Sequence, residues 1–121
     1  MAFLPFEDLK VFQLAEQLAD EIWDIVITWK YFEKITLGQQ WVDAADSVGA
    51  NIAEGSGSGT PNDNKRFIRI SRGSFSETKY WLRRAKRRKL IDDEQAAKLQ
   101  PLIDQIGPSL NAYLKSIGKK N

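Results

Sequence analysis

Cysteine and histidine are both absent from this 121-residue chain. Without cysteine there is no disulfide framework, no thiolate metal site and no thiol nucleophile. Without histidine the commonest general base and the commonest metal ligand are missing as well. No convincing nucleophile–base pair can be built from what remains. The expectation is therefore a protein that is not an enzyme, with no catalytic residues, no metal, no cofactor and no small-molecule substrate. No apolar run is long enough to cross a bilayer, so no membrane partner is expected. Residues 1–8, MAFLPFED, lack a basic n-region and an apolar h-region. They predict no secretory leader, which makes the cytoplasm the expected location.

What is present is helical periodicity over a length that suits one domain, residues 1–121, able to bury a core without covalent staples. Val11, Ala15, Leu18, Ile22, Ile25 and Trp29 recur at spacings of four and three, widened by Phe12, Ala19, Trp23 and Val26. They predict an amphipathic helix over about residues 7–29. A second helix, over about 36–54, carries Leu37, Trp41, Ala44, Ala45, Val48 and Ile52. Its small residues Gly49, Ala50 and Ala53 allow a neighbour to come close. Gly55 is expected to end it in a left-handed conformation, and residues 55–59, Gly-Ser-Gly-Ser-Gly, read as a flexible linker.

Thr60-Pro61-Asn62-Asp63 has the chemistry of a helix start: an N-cap hydroxyl, a proline at the first position and an acid near the positive end. The third helix runs from there to about residue 89. Its predicted seam is Phe67, Ser71, Ser74, Thr78, Trp81 and Ala85, with Ile70, Phe75 and Leu82 beside it. Gly73 lies mid-helix at a cost of about 1 kcal/mol against alanine, and close backbone approach is the expected compensation. Asp92 and Gln95 form a capping pair for a fourth helix. Leu99, Leu102, Ile103, Ile106, Leu110, Tyr113, Leu114 and Ile117 are its apolar face. Pro101 and Pro108 interrupt it, so a kinked or split helix is expected. The predicted fold is all-α, an antiparallel up-down-up-down four-helix bundle.

Charge is distributed very unevenly. Residues 1–64 hold eleven acids and three bases, whereas residues 65–89 hold eleven bases and one acid, Glu77. Residues 90–121 balance, so the net charge of +2 conceals the separation. Lys65, Arg69, Arg72, Lys79, Arg83 and Lys86 share one line of the third helix, with Ser76 in the gap. Over 21 residues this line is roughly 32 Å long. Arg66 flanks its start, and Arg84, Arg87, Arg88 and Lys89 thicken its end. A straight row of cations on a stiff rod suits a phosphate backbone. The bland alternatives are a solvated helix face and, for the terminal cluster, compensation of the helix dipole. Neutralisation by the acidic first helix is disfavoured, because helices one and three of such a bundle are diagonal. Glu16, Asp20, Glu21 and Asp24 then face away from the bases. A subunit polarised in this way can associate acidic side to basic side, a heterologous contact that closes a ring if the rotation permits.

Other candidates are weaker. The glycine–serine run follows a helix and lacks the lysine of a phosphate loop. Asp92-Asp93-Glu94 is a helix start before it is a cation site. Trp23, Trp41 and Trp81 fit core seams. Glu54 ends a small, apolar segment beside Asn51, and Arg69 or Arg72 is the expected partner for a partly buried carboxylate there.

Asn51-Ile52-Ala53-Glu54-Gly55, followed by Phe67-Ile68 and by Arg72-Gly73-Ser74 with Glu77, resembles the small four-helix-bundle proteins encoded in intervening sequences of bacterial 23S ribosomal RNA genes, also labelled S23 ribosomal proteins. The opening Phe6-Glu7-Asp8-Leu9-Lys10-Val11 and the closing Leu110-Asn111 match too. The resemblance implies a four-helix bundle. By similarity to the accessory protein of diversity-generating retroelements, it also implies a homo-oligomeric, pentameric ring that binds nucleic acid, RNA or DNA. Members of this family usually carry arginines shortly before the Asn-Ile-Ala-Glu-Gly motif and commonly a proline two residues ahead of it. Here Val42, Asp43 and Asp46 stand in that region and Gly49 takes the proline's place. The basic surface therefore falls to the third helix: Lys65, Arg69, Arg72, Lys79, Arg83, Arg84, Lys86, Arg87 and Arg88. Asn51, Glu54, Gly55, Gly73, Ser74 and Glu77 are read as a structural motif.

Overall fold

A computed structural model describes residues 5–119. The opening Met1 to Leu4 lie outside this range, and with them half of the segment on which the absence of a leader was judged. Four long helices account for most of the chain: α1, Lys10–Val26; α2, Gln39–Ser56; α3, Pro61–Arg87; and α4, Asp93–Ser116. A 3-10 turn, Phe6–Asp8, precedes α1. A helical turn, Tyr31–Glu33, and a π-helical turn, Lys34–Gly38, lead into α2. No strand occurs among the described residues, and no helix among them is long and apolar enough to cross a membrane.

The helices stop where local chemistry stops them. Thr60 Oγ1 accepts from the Asp63 amide at 3.1 Å, and Pro61 opens α3. Asp92 and Gln95 form a reciprocal capping box at the start of α4, with bonds of 2.7 and 3.0 Å. At the far end of α3 the Leu90 amide donates to the Ala85 carbonyl and Lys89 to that of Lys86, with Lys89 left-handed at φ 59°. These bonds satisfy the last carbonyls of the helix.

Each helix buries one stripe into a shared core that includes Leu18, Ile22, Trp41, Val48, Ile52, Ile68, Leu99, Ile106 and Leu110. Helix α1 packs on α2 and α4, and α3 packs on the same two. Among the described residues α1 and α3 share no substantial contact. Trp29 stacks on Trp41 at 5.9 Å, and Phe12 lies against Gly49. Trp41 Nε1 donates to the Thr78 carbonyl at 3.1 Å and Ser71 Oγ to that of Val48 at 2.8 Å. Asn64 meets Tyr113, and Phe75 lies beside Gly107.

Several expectations need correction. Helix α4 is not split. Pro101 and Pro108 sit inside it on the exposed face, so the carbonyls of the exposed Ala97 and Asp104 that lose their donors are within reach of water. The buried row of α3 is Ile68, Ser71, Phe75, Thr78, Leu82 and Ala85: Ser71, Thr78 and Ala85 hold their predicted places, Phe67, Ser74 and Trp81 are half-buried and yield theirs to the residue that follows each, and Ile70 is exposed. Trp23 is 53% exposed, since it lies past the edge of the stripe that α2 covers. Gly55 does not end α2. It is helical and buried, the helix continues through Ser56, and the loop proper is residues 57–60.

The close-approach role expected of Gly73 belongs to Gly55. A Cβ on Gly55 would stand 2.6 Å from Asn64 Oδ1, 3.0 Å from Phe67 Cβ and 3.2 Å from the Asn64 carbonyl oxygen. Close approach of α2 to α3 is therefore a property of Gly55. At Gly73, apart from its own turns of helix backbone and its chain neighbours, no atom of the described residues lies within 4 Å of such a Cβ. Gly73→Ala should accordingly raise stability by about 1 kcal/mol through helix propensity alone. Gly55→Ala should lower it by about 1–2 kcal/mol, as overpacking outweighs the same propensity gain. Urea unfolding of the two variants checks this, and the reverse order would contradict the packing.

Candidate nucleic-acid interface

The predicted basic line follows the side of α3 that borders α4. Arg72 Nη1 donates to Asn111 Oδ1 of α4 at 3.1 Å, and Lys79 Nζ lies 4.9 Å from the Phe75 ring centroid. Lys65 and Arg84 are half-buried. Arg69, Arg72, Lys79, Arg83, Lys86, Arg87 and Arg88 are exposed. Toward the end of the helix, Lys79, Arg83, Arg84, Lys86 and Arg87 rim an open concavity of about 680 Å³ floored by Leu82.

Among the described residues, carboxylates do not neutralise this surface. Among the described residues the one ion pair is Arg66 to Asp63, at 3.8 Å near the helix start. None of the nine cations assigned to the interface has a carboxylate oxygen within 4.0 Å among those residues. Glu77, the sole acid of the stretch, accepts instead from Trp81 Nε1 at 3.0 Å. A pairing of Glu54 with Arg69 or Arg72 does not occur. Glu54 is exposed, so its carboxylate is hydrated and needs no partner, and Arg72 is engaged with Asn111. Asn51 Nδ2 donates back to the Ser47 carbonyl at 2.8 Å, and the Ser74 carbonyl accepts from Thr78 Oγ1. Apart from the exposed Glu54 and Gly73, the motif residues thus serve helix contacts and local bonds.

Negative charge collects in the groove between α1 and α2. A cavity of about 360 Å³ there is lined by Phe6, Phe12, Glu16, Asp20 and Asp46 together with small residues. Partial burial, then Asp43, then Asp20 raise the Asp46 carboxyl above its ordinary value. This is what crowded acids do where no cation relieves them.

Sequence reasoning missed two further surfaces. Trp23, Ile27 and Ile35 are exposed around a second groove of about 310 Å³ between α1 and the start of α2, with Val26 and Val42 below. Tyr31 and Phe32 stand out from the adjoining turn, whereas Trp29 turns inward onto Trp41. Tyr80 is 51% exposed in the middle of the cationic stretch. Its position three and four residues before Arg83 and Arg84 was the available signal. Among the described residues no group of three or more acidic side chains is placed to hold a metal, and Asp92 is occupied in its capping box.

Residues 7–112 match the family described as 23S rRNA-intervening sequence protein. No curated protein matches the chain.

Proposed function

Because the chain belongs to the 23S rRNA-intervening sequence protein family, we propose that it is a non-enzymatic, cytoplasmic, homo-oligomeric protein that binds RNA or DNA by its phosphates, with little sequence preference. The observation that carries this reading is the column on α3: eight cations within the helix and Arg88 at its C-cap, none matched by a carboxylate among the described residues. Arg69, Lys79, Arg83, Arg84 and Arg87 make most of the contact, and Arg72 divides itself between ligand and Asn111. The proposal includes an antiparallel up-down-up-down bundle with α4 bent at its two prolines. Partners that pair residues 41 with 78, 48 with 71 and 64 with 113 support the antiparallel sense. Two missing backbone bonds favour the bend. If about six phosphates are neutralised per site, binding weakens with a log–log salt slope of roughly −5, about a thousandfold between 50 and 200 mM. A salt titration of binding to a labelled polynucleotide tests this, and a slope near zero rejects it.

A second reading has its own support. Asp20, Asp43 and Asp46 crowd one another on the α1–α2 side, beside an exposed apolar groove. In that reading the protein is an interaction scaffold in which the basic column of one copy meets the acidic side of the next, and nucleic acid plays no part. Either way copies associate, in a ring of five if the family likeness extends that far. Light scattering at low and high salt, with and without a short polynucleotide, separates the possibilities. We expect an oligomer whose mass rises with the polynucleotide. A monomer at both salts rejects association, and an oligomer indifferent to the polynucleotide leaves the scaffold.

A further inference from the structure

Arg66, Arg69, Gly73, Ser76, Tyr80, Arg83 and Arg87 recur at alternating spacings of three and four, and every one of them is exposed. They form the outward row of α3, on the opposite side from the buried row. Most of its members suit phosphates. Tyr80 does not, and nothing in the core requires it.

The Tyr80 ring is nevertheless held in place. It meets Trp81 edge to face with centroids 4.9 Å apart. Trp81 packs against the core and is anchored through Nε1 to Glu77 Oε2 at 3.0 Å. One helical turn further on are Arg83 and Arg84. Arg87 follows about 10 Å along the axis from Tyr80. Two turns back the helix is bare at Gly73, where an added Cβ would meet no described atom within 4 Å beyond its chain neighbours and its own helix backbone. A braced, half-exposed aromatic among unpaired cations has the composition of a single-strand site: arginines hold the backbone and the ring offers a face to a base. Bases in a duplex are already stacked on one another and have no free face to offer.

We infer that Tyr80 is a stacking platform for an unpaired base and that the ligand of α3 is single-stranded nucleic acid. The inference rests on the phosphate-binding reading and narrows it. Charge complementarity selects the occupant: among the described residues Arg66 alone of the row's cations has a carboxylate partner, the neighbouring Glu77 is engaged by Trp81, and the ligand brings phosphates and flat apolar rings.

The test uses the full chain and three fluorescent probes: a short oligothymidylate, an abasic phosphodiester strand of the same length, and a duplex. Wild-type protein should bind oligothymidylate about tenfold more tightly than the abasic strand. Tyr80→Ala should lose about that factor on oligothymidylate and nothing on the other two probes. Tyr80→Phe should keep it, and thermal melting should find both variants folded. Tyr80→Ala binding oligothymidylate as wild type does, or losing equally on all three probes, overturns the inference. So does an oligomer that Tyr80→Ala dissociates in the absence of nucleic acid, which would make the row a subunit contact. The two readings fail differently: equal, salt-dependent wild-type binding to the base-bearing and abasic strands removes stacking alone, whereas no salt-dependent binding to any probe removes both.

Discussion

Replacing Arg83 and Arg87 together by glutamate should reduce polynucleotide affinity by about two orders of magnitude at low salt and flatten the salt dependence by at least about two units of slope. Both side chains lie on the outward row of α3, and both line the concavity toward the end of that helix. Each reversal removes a contact and adds a repulsion, so the pair acts on the ligand far more than on the fold. Exposed substitutions ordinarily change stability by no more than about 0.5 kcal/mol. Arg87 is also in the last turn of α3, where a cation complements the helix dipole, so its reversal costs about a further 0.3–1 kcal/mol. That is a small fraction of the stability of a domain this size, about 5–15 kcal/mol. Fluorescence anisotropy at several salt concentrations, with a thermal melt of the same sample, gives both numbers. Unchanged affinity in a folded variant would falsify phosphate binding by α3. An oligomer that falls apart while wild-type protein ignores polynucleotide would transfer the column to subunit contact.

Trp41→Ala should cost about 3–5 kcal/mol, the range for emptying a buried aromatic site. The midpoint of thermal unfolding should fall by roughly 10–20 °C. Trp41 is completely buried, stacks on Trp29 at 5.9 Å and donates Nε1–H to the Thr78 carbonyl of α3 at 3.1 Å. Its loss therefore loosens three parts of the molecule at once: the segment after α1, α2, and the middle of α3. Trp41→Phe keeps most of the ring volume and loses the hydrogen bond, which contributes about 1 kcal/mol. Urea unfolding of the two variants should separate packing from the bond in that ratio. Near-equal losses would mean that the indole N–H, rather than the ring, holds this junction.

Legibility in the sequence followed the range of the interactions involved. The caps at Thr60 and at Asp92 with Gln95 were readable, because donor and acceptor are three residues apart. The core positions of α1 and α4 were largely readable too, since wide apolar stripes leave little choice of face. On α3 the buried Ser71, Thr78 and Ala85 were readable, but Phe67, Ser74 and Trp81 were placed in the seam where Ile68, Phe75 and Leu82 are buried, because the stripe there is wide and mixed in polarity. Glu54 was assigned a buried environment from its neighbours in the chain, yet it points to water. Gly55 and Gly73 carry no side chain to reveal what lies opposite, and the close approach expected at Gly73 is found at Gly55. The gathering of cations on α3 was legible, because it is a matter of composition and helical spacing. Tyr80 escaped notice although its spacing from Arg83 and Arg84 placed it among the cations, because an aromatic side chain is read first as core.

The amino-acid sequence by itself determined the helices, their caps, the segregation of acids from bases and the family. All of these rest on periodicity, on contacts a few residues long, or on composition. Tertiary structure decided which small residue admits a neighbouring helix, which aromatic remains uncovered, and whether the cations of α3 meet carboxylates of their own chain. Those outcomes depend on what a different helix brings to the same place, and no repeat within a single helix encodes its neighbour.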